Sequence, residues 1–511
     1  MAEQTHRRWR GAGWVAPATL LLGSILTALS LPASGTAAAG RSALPTAEVS
    51  AGSAQTMNGF GASGAWWPND LVRFPASVQE QVADQLFTSS GIDLSVYRYN
   101  IGAGGVGVTS PTRSVQSFLV RPGVYDWSAD PGGTRFLELA HDRGVPILEG
   151  FANSAPPEWT TDHRSCGGQL TPGDERSYAA YLGEVAHHFA VDGIDLRVVS
   201  PMNEPDNSFG SCGQEGMAVP VAQRATVVRD LGRDLARRAP FAQVIADESS
   251  LATFQFLPEV PRWLTAGSTS RWLAALAHHT YEYPTDAEAA MVSTLGPRFG
   301  QALWMTEICC YDGKGPLVGF GPQYDPTMTS GLWLADSVYQ DVAVIGDAQF
   351  DWWTALSSQL GCQPVDHPGC VAGVNGSGWN DGLLYYDPAY AQDGDHAITA
   401  TKRYYVLGNF SRYVRPGAVR HPVTGVPSGV RALAFEGHGD WTVVVIDDGV
   451  RGSAATRLGI RLPGGAAARP VGAVRTSAVD NLANVSLPHA SHGIATVTIP
   501  PQSVTTYTFG A

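Results

Sequence analysis

Between residues 57 and 400, short apolar runs rich in β-branched residues alternate with stretches whose apolar positions recur at helical spacing. The runs Gly59–Ala62, Leu94–Tyr99, Val145–Phe151, Leu196–Pro201, Val244–Asp247, Leu276–Tyr281, Ala302–Thr306 and Ala348–Trp352 read as strands. Between them, Val78, Val82 and Leu86 fall on one helical face. So do Tyr178, Tyr181, Leu182, Val185 and Phe189, and later Val228, Leu231 and Leu235. Strands alternating with helices imply a parallel sheet with right-handed crossovers. Eight such units predict an α/β fold, a closed (β/α)8 TIM barrel with long loops. The alternative is an open doubly wound sheet. No G-x-G-x-x-G sits between a strand and a helix, so nothing points to a dinucleotide or another cofactor.

From residue 401 to 511 the texture changes. Trp441–Ile446, Arg457–Leu462, Ile494–Ile499 and Val504–Phe509 are short strands separated by Gly, Pro and Asp turns, the pattern of an antiparallel β-sandwich. No linker separates the two parts, so they should pack together. Residues 40–56 read as an extended segment that adds a strand to the sandwich.

Residues 1–39 change the picture at the front. Arg7, Arg8 and Arg10 precede an apolar stretch from Trp14 to Leu31, and Ala37-Ala38-Ala39 offers a small-residue cleavage site. The segment reads as a signal peptide, so the mature chain should be secreted and extracellular, with no membrane partner after cleavage. A membrane anchor is the alternative, because the apolar stretch approaches spanning length. The Ala/Gly/Ser/Thr-rich run after Leu31 favours cleavage.

The chain is 44% hydrophobic and 15% charged, with a formal net charge of −13. Removing three arginines and one glutamate with the leader leaves about −15. Such a surface argues against nucleic acid and anionic membranes. It suits a soluble secreted enzyme, expected as a monomer, acting on a neutral substrate. Export also permits disulfides. Six cysteines allow 15 full pairings. Cys362–Cys370 closes a short Pro/Gly loop and is the first local candidate, with Cys166–Cys212 next. The adjacent Cys309 and Cys310 must either form a vicinal bridge or stay as thiols. Their spacing suits no usual zinc site. The adjacent His278 and His279 would point to opposite faces of a strand and cannot serve one ion. No metal is expected.

Catalytic groups of such barrels sit at the C-terminal strand ends. Glu149, Glu204, Asp247, Glu248, Glu307 and Asp351 all qualify. Glycoside hydrolysis needs two carboxyl groups on opposite sides of the scissile bond. Glu204 lies in Ser200-Pro-Met-Asn-Glu-Pro205, directly after Leu196–Val199, and Pro205 cannot continue the ladder. Glu307 ends the strand Leu303-Trp-Met-Thr-Glu307. The two acids are 103 residues apart, enough for two or three βα units, so they should face one pocket from different strands.

Six segments together resemble glycoside hydrolase family 30. They are Asn58-Gly-Phe-Gly-Ala-Ser63, Tyr97-Arg-Tyr-Asn-Ile-Gly102, Asn153-Ser-Ala-Pro-Pro-Glu-Trp159, Ser200-Pro-Met-Asn-Glu-Pro205, Trp304-Met-Thr-Glu307 and Phe410-Ser-Arg-Tyr-Val-Arg-Pro-Gly417, in that order. The one departure is Ala155 where the family usually has Ser. The resemblance implies a barrel fused to a β-sandwich, with Glu204 as acid/base after strand 4 and Glu307 as nucleophile after strand 7. It further implies that Arg98 holds Glu307 ionised, that Tyr281 donates to Glu307 and that Asn203 binds the sugar 2-hydroxyl. Retention would require Glu204 to be protonated near neutrality, its pKa raised by Glu307 and partial burial. Asn153, Trp66, Trp159 and Trp353 join the candidate sugar contacts, the tryptophans because aromatic rings stack on sugar C–H faces. Of the pair Trp352-Trp353, Trp353 should face the pocket.

Family members act on β-1,6-galactan, β-1,6-glucan, glucuronoxylan, β-xylosides or glucosylceramide. Gly61-Ala-Ser-Gly-Ala-Trp-Trp67 and Glu307-Ile-Cys-Cys-Tyr311 most resemble the endo-β-1,6-galactanase branch, which acts on side chains of plant arabinogalactan. The expected partner is therefore a plant polysaccharide or oligosaccharide. β-1,6-Glucanase and β-xylanase are the alternatives within the family. Outside it stands a non-catalytic carbohydrate-binding protein on the same scaffold.

Overall fold

The computed structural model describes residues 44–264, 269–311, 321–450, 452–465 and 469–510. The expected signal peptide, residues 1–39, lies outside them. Eight parallel strands close into a barrel: β1 (Gly59–Ser63), β2 (Val96–Asn100), β3 (Ile147–Phe151), β4 (Leu196–Ser200), β5 (Gln243–Ser249), β6 (Leu273–His279), β7 (Ala302–Glu307) and β8 (Gln349–Trp352). Each pairs with its sequence neighbours, and β8 returns to β1 through Gln349–Trp352 against Gly59–Ala62. Strands of such a barrel are covered on both faces, which is why they read as continuous apolar runs. The helix Glu175–Val191 turns Tyr178, Tyr181, Leu182, Val185 and Phe189 inward. Val82 and Leu86 of Ala76–Phe87 do the same, while Val78 is only partly buried.

The sixth strand ends at His279, two residues short of the expected Tyr281. There the parallel ladder gives way to an antiparallel bridge between Leu251 and Thr280, and the Tyr281 N–H donates to the Ser250 carbonyl. Tyr281 thus rides on a loop over the barrel mouth. β1 carries a glycine at position 61 for a steric reason. A Cβ on Gly61 would lie 2.2 Å from Asp351 Oδ1 and 2.6 Å from Val96 Cβ.

The C-terminal part has two sheets. One orders Val419–His421, Val430–Gly437, Asp440–Asp447, Ser503–Gly510, Arg469–Thr476 and Ala483–Asn484, all antiparallel. The other contains Thr456–Arg461 and Ile494–Ile499, and Thr46–Val49 joins it. That N-terminal strand runs parallel to Thr456–Arg461 and antiparallel to Val423–Thr424, so this sheet is mixed. Ala432, Ala434, Val443 and Val445 face Leu458, Ile460, Val497 and Ile499 between the sheets. The alternate positions Leu433, Phe435, Val444 and Ile446 belong to the barrel's own core. A strand buried on both faces has no polar alternation, which explains the run Trp441–Ile446. The helix Lys402–Ser411 lies between both parts, and its Asn409 Nδ2 donates to Thr506 Oγ1 at 3.1 Å. Cys166–Cys212 and Cys362–Cys370 are bonded, and Cys309–Cys310 forms the vicinal bridge. Among the described residues no helix is long and apolar enough to cross a membrane.

Candidate active site

β7 delivers Glu307 at its last position, with only 4% of the residue exposed. β4 stops at Ser200, and Glu204 turns back in the left-handed region at φ +48°. Its N–H donates to the Glu248 carbonyl at 3.0 Å, and its carbonyl accepts from the Asn207 N–H at 2.8 Å. These bonds offset the cost of a left-handed residue and aim the side chain across the barrel mouth.

Arg98, on β2, is wholly buried beneath the two acids. Nη1 donates to Glu307 Oε2 at 2.7 Å, Nη2 to Asn203 Oδ1 at 2.8 Å and Glu248 Oε1 at 3.0 Å, and Nε to Glu149 Oε1 at 3.1 Å. The guanidinium carbon lies 3.5 Å from the Phe151 ring centroid. Such a planar fork fixes several carboxylates at once, which a lysine could not do. Arg98 has no surface in the cavity, so it positions Glu307 and Asn203 instead of touching a ligand. The Tyr281 hydroxyl donates to the other Glu307 oxygen at 2.9 Å. Because Asn203 Oδ1 accepts from Arg98, the NH2 end of its amide is left for the cavity.

The two acids differ in environment. Burial pushes the Glu204 carboxyl up to about 8, with the charge of Asp206 adding to the rise and a hydrogen bond from Asn207 opposing it. Asp206 is the charge that adds most to that rise, and the repulsion expected between the two acids acts on Glu307, which the Glu204 charge pushes up. Burial also raises Glu307, while His279 and Arg98 pull it down. His279 Nδ1 lies 3.3 Å from Glu204 Oε1 and 3.9 Å from Glu307 Oε1. One donor atom each from Glu204, His279 and Glu307 fall within 4.8 Å of one another, close enough to hold a cation. His278 points the other way, with Nε2 3.1 Å from Asp347 Oδ1, as strand alternation requires.

The remaining acids at the strand ends have structural partners. Glu149, pushed up to about 7 by burial, also accepts from Gln349 at 3.1 Å. Glu248 accepts from the Ser200 hydroxyl. Asp247 binds Arg224 and the Trp263 indole N–H, both at 2.7 Å. Asp351 accepts from Gln349.

Above the acids opens a cavity of about 750 Å³. Asn203, Glu204, Tyr281, Glu307, Trp66 and Trp353 line it, so the structure gathers most of the expected residues. The Trp66 and Trp353 rings meet edge to face at 5.2 Å, while Trp352 is turned away against Trp333. Two residues are not brought in. The Pro156-Pro157 turn sends Trp159 into the helix layer, 5.8 Å from Tyr181 and 6.3 Å from Tyr178. Asn153 is 1% exposed and its Nδ2 donates to Asn100 Oδ1 at 3.3 Å, outside the cavity wall. Arg113, Phe209, Gln214, Asp381 and Tyr386 line the cavity without having been singled out. Most come from long loops with no period to mark an inward side. The cysteine pair Cys309–Cys310 was visible in sequence, but not as cavity wall.

The arrangement is one acid kept protonated at neutrality and a second held by a cation, a few ångströms apart in a cleft. Such a pair can protonate a leaving oxygen and attack the carbon it leaves. Residues 47–260 match the family model described as O-Glycosyl hydrolase family 30. The chain is 23% identical over 423 residues to an endo-beta-1,6-galactanase of Hypocrea rufa, across 76% of this chain and 78% of that one. It is also 23% identical over 269 residues to an exo-beta-1,6-galactobiohydrolase of Bifidobacterium longum, across 39% of this chain and 17% of that one. In fold, it matches the catalytic domain of GH30 xylanase C from Talaromyces cellulolyticus with a TM-score of 0.69 at 21% identity, covering 91% of this chain and all of that one. A conserved exported protein from Bacteroides fragilis gives 0.74 at 20% identity, with the same coverage.

Proposed function

We propose that this chain, a glycoside hydrolase of family 30, is a secreted enzyme that cleaves β-1,6-galactan side chains of arabinogalactan internally and with retention. The observation that carries the reading is the approach of Glu204 and Glu307, whose nearest oxygens lie within 4.8 Å. Retaining enzymes hold their carboxyls about 5–5.5 Å apart, whereas inverting ones leave about 6.5–9.5 Å for a water.

Glu204, protonated below about 8, gives its proton to the glycosidic oxygen. Glu307, kept ionised by the charge-assisted bond from Arg98 and the Tyr281 hydroxyl, attacks the anomeric carbon and forms a glycosyl-enzyme. Glu204, now a carboxylate, takes a proton from the water that releases the sugar. The Asn203 amide, whose NH2 end is left for the cavity, is the donor assigned to the sugar 2-hydroxyl, a hydrogen bond that strengthens at the transition state. This route uses no cofactor.

Secretion rests on the leader-like residues 1–39. The choice of galactan rests on Gly61–Trp67 and Glu307–Tyr311 and on the relatedness to the Hypocrea rufa enzyme. Incubation with de-arabinosylated arabinogalactan, β-1,6-glucan and glucuronoxylan, followed by chromatography of the products, tests it. Galacto-oligosaccharides of mixed length from the first substrate are expected. Release from glucan or xylan alone would reassign the substrate, and binding without any product would make the chain a carbohydrate-binding protein.

A further inference from the structure

Two residues beyond Glu307, Cys309 and Cys310 are bonded to each other, and both line the cavity. A disulfide between neighbours closes an eight-membered ring that contains the peptide bond. Two side chains that would otherwise rotate separately become one compact unit. Its sulfurs are polarizable and carry no hydrogen to donate.

The ring is held from several sides. The Tyr283 hydroxyl donates to the Cys309 carbonyl at 2.6 Å. The Cys310 N–H donates to the Asn380 carbonyl at 3.3 Å, and the Trp353 N–H to the Ile308 carbonyl at 2.9 Å. Cys310 itself sits at φ +68°, a conformation that a residue with a Cβ adopts only when its surroundings impose it. The Tyr281 hydroxyl that donates to Glu307 lies 4.0 Å from Cys309 Sγ.

A stapling role explains little here. Disulfides stabilise largely by closing long loops in the unfolded chain. Cys166–Cys212 spans 46 residues, but this bond joins neighbours and closes almost nothing. What it does change is the cavity surface beside Glu307.

We propose that the Cys309–Cys310 ring is a sugar-binding platform, an apolar wall on which the C–H face of a neutral hexopyranose unit packs beside Glu307. The proposal rests on the reading of Glu307 as the residue that attacks the sugar. Trp353 lines the same cavity, and Cys310, 4% exposed, brings the disulfide ring to the cavity wall two residues from Ile308 and three from Glu307. Opening the bond would replace that surface with two rotating thiols, each a donor with no fixed direction.

The test compares the wild type with the double variant Cys309→Ala/Cys310→Ala on β-1,6-galacto-oligosaccharides. KM should rise about tenfold while kcat changes far less, the split expected when ground-state packing is lost. A folded variant with unchanged KM overturns the proposal. Should the variant fail to fold, the wild type is treated with graded phosphine reductant, alkylated and peptide-mapped, and KM is plotted against opening of each bond. KM should follow Cys309–Cys310, and a Cys362→Ala/Cys370→Ala control should keep its KM. A KM that holds with the vicinal bond open also overturns the proposal. A wild type inert toward galactan counts instead against the galactan reading, and the same proteins are then compared on whichever of β-1,6-glucan and glucuronoxylan is cleaved.

Discussion

At the scale of single residues, the distinction between the two acids lies in their neighbours. Glu204 has Asp206 two positions on and only His279 at 3.3 Å, while Glu307 has Arg98 at 2.7 Å. If Glu204 works as an acid, kcat/KM must fall as pH climbs through about 8, because the proton it donates is lost there. Replacing Asp206 with Asn removes a negative charge that favours the protonated form. The basic limb of the profile should then move to lower pH, and a limb that stays put or moves up would refute this role for Asp206. Glu307 was legible in sequence because it ends an apolar strand, and Glu204 because Asn-Glu-Pro follows one. Arg98 was legible because an arginine within such a strand needs partners. Trp159 and Asn153 were misplaced, since a residue beside a Pro-Pro turn follows no period that says which way it points.

At the scale of elements, the eight strands were legible because burial on both faces leaves an unbroken apolar run. The end of β6 was not, because a bridge from Leu251 stops the ladder at His279 and lifts Tyr281 over the site. Close approach between β1, β2 and β8 depends on the absence of a side chain at Gly61. Gly61→Ala should cost about 1–3 kcal/mol of stability as Val96 and Asp351 are displaced. A thermal unfolding midpoint equal to that of the wild type would show that β1 has slack. Loops carry most of the cavity wall, and their inward residues Arg113, Phe209 and Gln214 had no pattern to reveal them.

At the scale of the whole molecule, the barrel and sandwich share one core through the two-faced sheet that includes Trp441–Ile446. That layering was half legible: the sandwich could be read, but not that its second face lies on the barrel. The fold also buries many acids. Glu204 and Glu215 are pushed up to about 8, and Glu149 and Asp336 to about 7, burial being the largest cause for each. The native chain thus keeps protons that the unfolded chain releases above about pH 4.5, so stability falls as pH rises from there to about 8. Net negative charge adds repulsion in the same direction. The thermal midpoint should be higher near pH 5.5 than near pH 8.5, and the reverse order would contradict the burial of neutral acids. For the molecule as a catalyst, the decisive measurement is azide rescue of the two acid variants, with the product anomer read by NMR. Glu307→Ala with azide should yield the α-glycosyl azide, since azide replaces the nucleophile directly, and Glu204→Ala the β-glycosyl azide through the intact glycosyl-enzyme. Exchanged anomers, or a Glu307→Ala variant fully active without azide, would contradict the assignment.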